Sequence, residues 1–410
     1  MDRDSSIRRC CTRNLEINLD TWSYIYQKLD SHDDRTSFGL TCVSFRHIQN
    51  SSCKSLTVRC PDANIFASPI DSLTIEKLLS RHTQLQIFTL GCSGCRHISN
   101  SSLTPLLNYG STLHSLNLDG CRFITDTGLK LVASACPLLS FISLMCAVDV
   151  TDIGLEILSK SCKSLKEVNL IACHSLTDDG IFFLNQNCRQ LTALRISSCI
   201  GVHGVSFREC SSTLVRLEAF CCDLDSMGVS RIVSGGGLDY LNVGTIPLRC
   251  VPIDLKPIGF CSKLRYLSIA GRYFVEDDVI VKISRGCPLL QEWDLSECGR
   301  IGIPGWESVG LYCQNLEILH VSECDKLCVT GLLSIGAGCK RLSVIFINER
   351  RMNPDAVDLF RLQRPDVKIK THCLFNYSPS WAFITRGRQE CEEDTERVRR
   401  ERGHLKFSLL

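Results

Sequence analysis

Residues 163–188 read KSLKEVNLIACHSLTDDGIFFLNQNC, and the 26 residues before them read PLLSFISLMCAVDVTDIGLEILSKSC. The pattern returns at residues 314–339 as QNLEILHVSECDKLCVTGLLSIGAGC. Cysteines mark the same period, because Cys136, Cys162 and Cys188 stand 26 residues apart. Self-similarity at a fixed period of this length predicts a stack of similar structural units.

Each unit changes its apolar period part-way along. Leu113, Leu116 and Leu118 end in the alternation of a short strand with one apolar face. Thr125 and Asp126 follow, and a Thr or Asp at that place can accept hydrogen bonds from the first amides of a helix. The same pair returns in the next two units, and helical apolar spacing follows it each time. Each unit is therefore predicted to be a strand followed by a helix.

Units of this kind must stack, because one strand and one helix cannot bury their apolar faces alone. Paired strands lie about 4.8 Å apart, whereas packed helices need about 8–10 Å. The difference bends the stack and places the strands on its inner side. The predicted fold class is α/β, a leucine-rich-repeat solenoid shaped as a curved horseshoe with parallel strands on the concave face, preceded by a small all-helical module.

The repeat does not extend over the whole chain. We expect a disordered tail at residues 1–13, a helical module at 14–56, a solenoid of about eleven units at 57–365, and a C-terminal cap with a charged tail at 366–410. The domain boundaries follow from the points at which the template begins and ends.

Two central units depart from the template. The unit 189–210 is short and has Gly201 and Gly204 where its neighbours have the Thr-Asp pair. The stretch 235–261 contains three prolines, so it is expected to keep its strand and lose its helix. Sequence drift and a local bulge that shapes a pocket both remain open as explanations.

The segment before the repeats, residues 14–56, reads NLEINLDTWSYIYQKLDSHDDRTSFGLTCVSFRHIQNSSCKSL. Its apolar spacing predicts two or three short helices. Such a module directly before cysteine-containing leucine-rich repeats resembles the F-box/LRR proteins, particularly those of plants. The resemblance covers residues 17 to about 365. The positions that carry it in the module are Leu19, Ile25, Leu29, Asp34, Arg35, Phe38, Leu40, Cys42 and His47–Asn50.

This resemblance implies a non-catalytic component of an SCF-type ubiquitin ligase. In the family, the F-box docks on a Skp-type adaptor and through it on a cullin–RING ligase, while the repeats bind the substrate for ubiquitination. The implied adaptor-binding residues are Leu19, Ile25, Leu29, Phe38, Leu40, Val43 and Phe45. The family usually opens with Leu-Pro and carries a Trp after the Cys segment. This chain has Leu19-Asp20 and Phe45 there, so weaker adaptor binding is expected.

The concave face is the predicted substrate surface. Alternate strand residues point away from the core, and solvated strand positions are ordinarily polar. Several here are apolar and accompany arginines, a composition common at binding hot spots. Scattered exposed apolar residues, which are normal in proteins, are the alternative explanation. The predicted substrate-binding residues are Phe141, Met145, Ile171, Arg195, Arg216, Phe220, Tyr240 and Tyr266.

Composition narrows the possible partners. The formal net charge is +2, so neither nucleic acid nor an anionic membrane is an expected partner. The 27 cysteines follow an N-terminus without an apolar signal core, which predicts buried thiols and a cytoplasmic or nuclear location. The pair Cys92 and Cys95 lacks a second ligand pair at zinc spacing. We therefore expect no metal, no cofactor and no catalytic residue.

Two other functions remain open from the sequence. One is a repeat scaffold or inhibitor without a ligase link, similar to ribonuclease-inhibitor-like proteins. The other is a small-molecule receptor, which would require a basic pocket at Arg195 and Arg216. Adaptor binding by residues 14–56 would favour the ligase component over the scaffold.

Overall fold

The computed structural model of the chain describes residues 19–29, 32–59, 71–82, 84–91, 98–209, 213–246, 250–348 and 352–371. The expected N-terminal tail, the Cys92–Cys95 segment and residues 372–410 of the expected C-terminal cap and tail lie outside these ranges.

Thirteen parallel strands form one sheet across the described residues, in the order of the chain. The strands are β1 Ser55–Arg59, β2 Ile87–Gly91, β3 Ser115–Asp119, β4 Phe141–Ser143, β5 Glu167–Asn169, β6 Ala193–Arg195, β7 Arg216–Glu218, β8 Tyr240–Asn242, β9 Tyr266–Ser268, β10 Glu292–Asp294, β11 Ile318–His320, β12 Val344–Phe346 and β13 Lys368–Lys370. Eleven of them, β2 to β12, lie between residues 57 and 365, and β1 and β13 extend the sheet past both boundaries. This open sheet confirms the predicted solenoid of parallel strands.

Helices precede the sheet and follow most of its strands. The α-helices are α1 Leu19–Gln27, α2 His32–Thr41, α3 Val43–Ser52, α4 Ser72–Arg81, α5 Leu106–Tyr109, α6 Asp126–Ala135, α7 Asp152–Ser161, α8 Asp178–Asn187, α9 Ser226–Val233, α10 Asp277–Gly286, α11 Ile303–Tyr312, α12 Val329–Gly338 and α13 Pro354–Gln363. Short 3₁₀ helices occupy Asn100–Leu103, Gly110–Thr112, Val205–Glu209 and Lys256–Phe260. The segment Lys256–Phe260 takes the place of an α-helix after β8, which confirms that this unit keeps its strand and loses its α-helix.

The core lies between the sheet and the helices. Leu116, Ile142 and Val168 pair across β3, β4 and β5, and each is at most 2% exposed. Leu129 and Val132 of α6 are fully buried opposite them. Burial of each such side chain contributes about 1.5–3 kcal/mol, so stability comes from the repetition of one small core along the stack.

Helix caps link consecutive units. The hydroxyls of Thr125, Thr151 and Thr177 accept hydrogen bonds from helix amides, as predicted. The carboxylate of Asp126 in addition accepts hydrogen bonds from the backbone N of Thr151 at 2.9 Å and from its Oγ1 at 2.7 Å. Asp152 and Thr177 repeat this arrangement one unit later. The Thr-Asp pair thus caps its own helix and holds the next unit.

The described cysteines form no disulfide, and most are buried thiols, as predicted. Cys162 donates its thiol to the carbonyl oxygen of Cys136 at 3.3 Å. Burial raises the pKa of Cys136 and Cys162 to about 12 and that of Cys261 to about 11. Such thiols stay protonated at neutral pH and are poor nucleophiles, so packing accounts for them.

Candidate functional site

An aromatic cluster holds the N-terminal module together. The rings of Phe38 and Phe45 stack with centroids 4.2 Å apart and planes 6° apart. The ring centroids of Trp22 and Phe45 are 4.6 Å apart, and those of Tyr26 and Phe38 are 5.3 Å apart. The cluster therefore joins α1, α2 and α3. Phe38 and Phe45, two of the predicted adaptor-binding residues, are half-buried members of this cluster.

The module also carries large apolar side chains that face solvent. Leu40 is 69% exposed, Val43 64% and Tyr24 60%. Leu40 and Val43 stand on either side of Cys42, whose sulfur accepts a hydrogen bond from the backbone N of Phe45 at the start of α3. We term Tyr24, Leu40 and Val43 the apolar face of the module. Their exposure leaves about 1.5–3 kcal/mol of burial energy per large side chain available to a partner.

The structure divides the predicted adaptor-binding set. Leu40 and Val43 are exposed, whereas Ile25 and Leu29 are partly buried. Leu19 is the first residue of α1. Tyr24 was not predicted, because apolar spacing along α1 marks the buried side of the helix and gives no sign of an exposed aromatic residue on another side.

Two rows of side chains cross the face of the sheet that points away from the helices, the concave face of the solenoid. They form because the strands pair in register. The first row runs through Phe141, Glu167, Ala193, Arg216, Tyr240, Tyr266 and Glu292. The second row runs through Ser143, Asn169, Arg195, Glu218, Asn242, Ser268 and Asp294.

Both predicted arginines of this face have carboxylate neighbours. Nε of Arg195 donates to Oε2 of Glu218 at 3.0 Å, and Glu218 is only 4% exposed. The hydroxyl of Ser197 donates to the other oxygen of Glu218 at 3.4 Å. Nε of Arg216 lies 3.9 Å from Oδ1 of Asp239. The centre of the face therefore carries both signs of charge, which differs from the basic pocket that a small-molecule receptor was expected to require.

Tyr240 and Tyr266 form the floor of this central region. Their rings stack with centroids 4.2 Å apart and planes 7° apart. Tyr240 is 1% exposed and Tyr266 5%, so the expectation that both rings face solvent was wrong. Burial raises the pKa of both hydroxyls, and the nearby carboxylate of Glu218 raises them further. Strand alternation predicts the direction in which a side chain points and does not predict this burial.

The remaining predicted apolar residues are partly exposed. Phe141 lies in the first row, and Met145, Ile171 and Phe220 each stand two residues after the end of their strands. Backbone hydrogen bonds join this third line of residues across the strand ends, and the backbone N of Phe220 donates to Oγ of Ser197 at 3.2 Å. Phe141 and Met145 belong to the unit of β4, Ile171 to that of β5 and Phe220 to that of β7, so these residues stand on both sides of β6, the strand of Arg195.

Three residues farther along the same face form a second polar and aromatic group. Nε2 of His320 lies 3.0 Å from Oε1 of Glu292. The ring of His320 stacks on that of Phe346, with the centroids 4.3 Å apart. Burial lowers the pKa of His320, but Glu292 and Asp294 outweigh it, so the pKa is raised. Alternation along the strands predicts only that these side chains point away from the core, and it predicts no role for them because their contacts join different strands.

Within the residues that the structure describes, no group of three or more His, Cys, Asp or Glu side chains could hold a metal ion. None of the described helices is long and apolar enough to cross a membrane. Two surfaces remain as candidate sites on the observations above, the apolar face of the module and the central concave region.

Known proteins resemble this chain over most of its length. The F-box/LRR-repeat protein 12 of Arabidopsis thaliana is 41% identical over 380 residues, which are 90% of this chain and 95% of that protein. A leucine-rich-repeat family model matches residues 111–133.

Two solved structures align with this chain, and one of them supports the fold. The internalin inlF of Listeria monocytogenes aligns with a TM-score of 0.51 at 17% identity, over 87% of this chain and 94% of its own. A chain of the yeast Rad7–Elc1 complex aligns with a TM-score of 0.36 at 15% identity, over 74% of this chain and 89% of its own. The first likeness supports a solenoid of repeats, and the second is too low to support an inference.

Proposed function

Because this chain belongs to the F-box/LRR-repeat proteins, we propose that it is the substrate-recognition subunit of an SCF-type cullin ubiquitin ligase. The N-terminal module binds a Skp-type adaptor, and the repeats bind a protein substrate. The chain makes and breaks no bond itself. It raises the effective concentration of substrate lysines near the charged ubiquitin-conjugating enzyme.

The apolar face of the module carries this proposal. Tyr24, Leu40 and Val43 are exposed although the module has an aromatic cluster of its own to fill its interior. Large exposed apolar side chains on so small a module favour a protein partner. Leu40 and Val43 also belong to the set that the family resemblance implies for the adaptor. Leu19-Asp20 replaces the usual Leu-Pro, so we expect binding that is weaker than the family's norm.

The substrate surface is proposed at the centre of the concave face. It consists of the partly exposed residues Phe141, Met145, Ile171 and Phe220 around the Arg195–Glu218 pair, above the stacked tyrosines. Apolar and aromatic side chains beside a paired arginine suit a partner with both apolar and charged groups. Tyr240 and Tyr266 contribute by shaping the floor, because neither ring offers much area for direct contact.

The cellular location belongs to the same proposal. A cullin–RING ligase works in the cytoplasm and nucleus, which agrees with buried thiols that form no disulfide in the described residues. A repeat scaffold or inhibitor without a ligase link is the alternative, and it differs in one property, the binding of an adaptor.

Affinity capture tests the proposal. The full chain, a Leu40→Asp/Val43→Asp variant and a matched control, Leu362→Asp, are compared for recovery of the Skp-type adaptor and cullin. Leu362 is 79% exposed on α13, far along the chain from the module. We expect loss of adaptor from the double variant only, with substrates retained. Equal recovery of the adaptor by all three proteins, or no recovery by any, would support the scaffold instead.

A further inference from the structure

A second line of cysteines runs through the units of β5, β6, β7, β10 and β11, six residues after the first residue of each strand. Its members are Cys173, Cys199, Cys222, Cys298 and Cys324. Each donates its thiol to a carbonyl oxygen of an earlier unit, for example Cys199 to Leu170 at 3.1 Å and Cys298 to Ile269 at 3.4 Å. We term this line the cysteine ladder. Its thiols satisfy interior carbonyl groups of the units that precede them.

Arg272 occupies the ladder position in the unit of β9. Its Nε donates to the carbonyl oxygen of Val243 at 2.9 Å, the same kind of bond that a ladder cysteine makes. The side chain is only 3% exposed. The ladder position of the preceding unit is Ile246, which is partly exposed and carries no thiol. Arginine therefore preserves the ladder bond and brings a positive charge into the interior.

Among the residues that the structure describes, no carboxylate balances this charge. Nη2 of Arg272 is buried and has no hydrogen-bond partner, and no carboxylate of the described residues lies within 4.0 Å of the guanidinium. The side chains near it include the cysteines Cys250, Cys221 and Cys222. An uncompensated buried charge is unfavourable, and proteins rarely keep one without a use.

We propose that the Nη edge of Arg272 is a binding site for an oxyanion, a carboxylate or phosphate group that approaches from the side of Cys250. Cys250 is partly exposed, whereas Cys221, Cys222 and Cys298 are buried. The guanidinium presents a planar fork of N–H donors that matches the oxygens of either group. Burial lowers the pKa of Arg272, and a bound anion would offset that effect.

The position couples this site to the substrate surface. Gly244 stands between the end of β8 and the ladder position, and a Cβ at residue 244 would lie 3.1 Å from the ring of Phe220. Val243, whose carbonyl oxygen accepts the hydrogen bond from Arg272, is the residue before Gly244. An anion at Arg272 would therefore order the strand end against which Phe220 packs.

Thermal unfolding of the full chain tests the site. The probes are inorganic phosphate and formate, each compared with sodium chloride at equal ionic strength. At roughly ten times its dissociation constant, a bound anion raises Tm by about 2 °C. The variant Arg272→Cys restores the ladder thiol and removes the charge, and Arg265→Cys is the exposed control. We expect no anion response from Arg272→Cys, a higher Tm than wild type in anion-free buffer, and an unchanged response from Arg265→Cys.

The two probes distinguish the sources of the anion. A response to phosphate alone assigns a tetrahedral phosphate group, and a response to formate assigns a planar carboxylate. Arg272→Lys keeps the charge without the fork and should respond more weakly. Three results would overturn the proposal: a wild-type protein that responds to neither probe, an Arg272→Cys variant that still responds, or an Arg272→Cys variant that unfolds more easily than wild type. The last would make Arg272 a structural residue only.

Discussion

Arg195 and Glu218 form an ion pair at the centre of the concave face, with Nε of Arg195 3.0 Å from Oε2 of Glu218. They stand on adjacent strands, β6 and β7, at paired positions of the register. The side chain of Glu218 is 5% exposed and that of Arg195 21%. The arginine thus neutralises a carboxylate that would otherwise be buried alone, and part of its own side chain remains exposed on the concave face.

For this ion pair we predict that removal of the arginine alone destabilises the protein more than removal of both charges. Arg195→Met leaves a buried carboxylate without its cation, so it should lower the free energy of unfolding by about 2–4 kcal/mol. The double variant Arg195→Met/Glu218→Gln should recover a large part of that loss. Urea unfolding followed by circular dichroism measures both. Losses that simply add would show that the two side chains do not interact.

Substrate capture should depend on the same region. Phe220→Asp combined with Arg195→Glu should abolish capture of the natural substrate while adaptor binding is unchanged, because the changes remove an apolar anchor and the cation beside it. The control is the charge exchange Arg195→Glu/Glu218→Arg, which keeps a pair in place. Affinity capture followed by mass spectrometry gives the readout. Full capture by the Phe220→Asp/Arg195→Glu variant would show that this region is not the substrate site.

The helix caps that link consecutive units should contribute stability that an exposed aspartate does not contribute. Asp126→Ala removes the acceptor of two hydrogen bonds from Thr151. The free energy of unfolding should fall by about 1–3 kcal/mol. The control is Asp149→Ala, since Asp149 is exposed and lies in the loop before that Thr. Chemical denaturation measures both variants, and equal midpoints would show that the hydrogen bonds between Asp126 and Thr151 add no stability.

His320 predicts a pH dependence of stability. Its pKa in the folded protein is raised above the ordinary value of 6.5, so its contribution is fully present below pH 6.5. That contribution is lost as the pH rises through the folded-state pKa, when the imidazolium beside Glu292 loses its proton. Thermal unfolding of wild type and His320→Gln between pH 5.5 and 8.5 tests this. The wild-type Tm should decline more steeply with rising pH, and parallel profiles would contradict the assignment.

Much of the fold follows from the sequence because repeat units depend on contacts with their nearest neighbours. The alternation in Leu113–Leu118 and the Thr-Asp pairs place strands and caps within a few residues of their observed positions. The prolines between residues 247 and 257 predict the missing α-helix after β8. Burial of the ladder cysteines follows from their period, since the same face of each unit returns to the core.

The module was only partly predictable. Aromatic residues such as Phe38 and Phe45 carry the family resemblance, but three helices must pack before one can tell which of these rings fill the interior. Leu40 and Val43 are exposed because they flank the junction of α2 and α3, where the chain turns. Tyr24 has no sequence signal that separates it from a core residue.

The sequence alone determined the period, the order of strands and helices, the caps and the side of each strand that faces the core, because all of these are set by residues near one another along the chain. Only the tertiary structure decided what the concave residues do. The burial of Tyr240 and Tyr266, the pairing of Arg195 with Glu218 and the unbalanced charge of Arg272 arise between residues of different units. Strand register and the packing of neighbouring side chains determine those contacts, and the spacing of residues within a single repeat predicts neither.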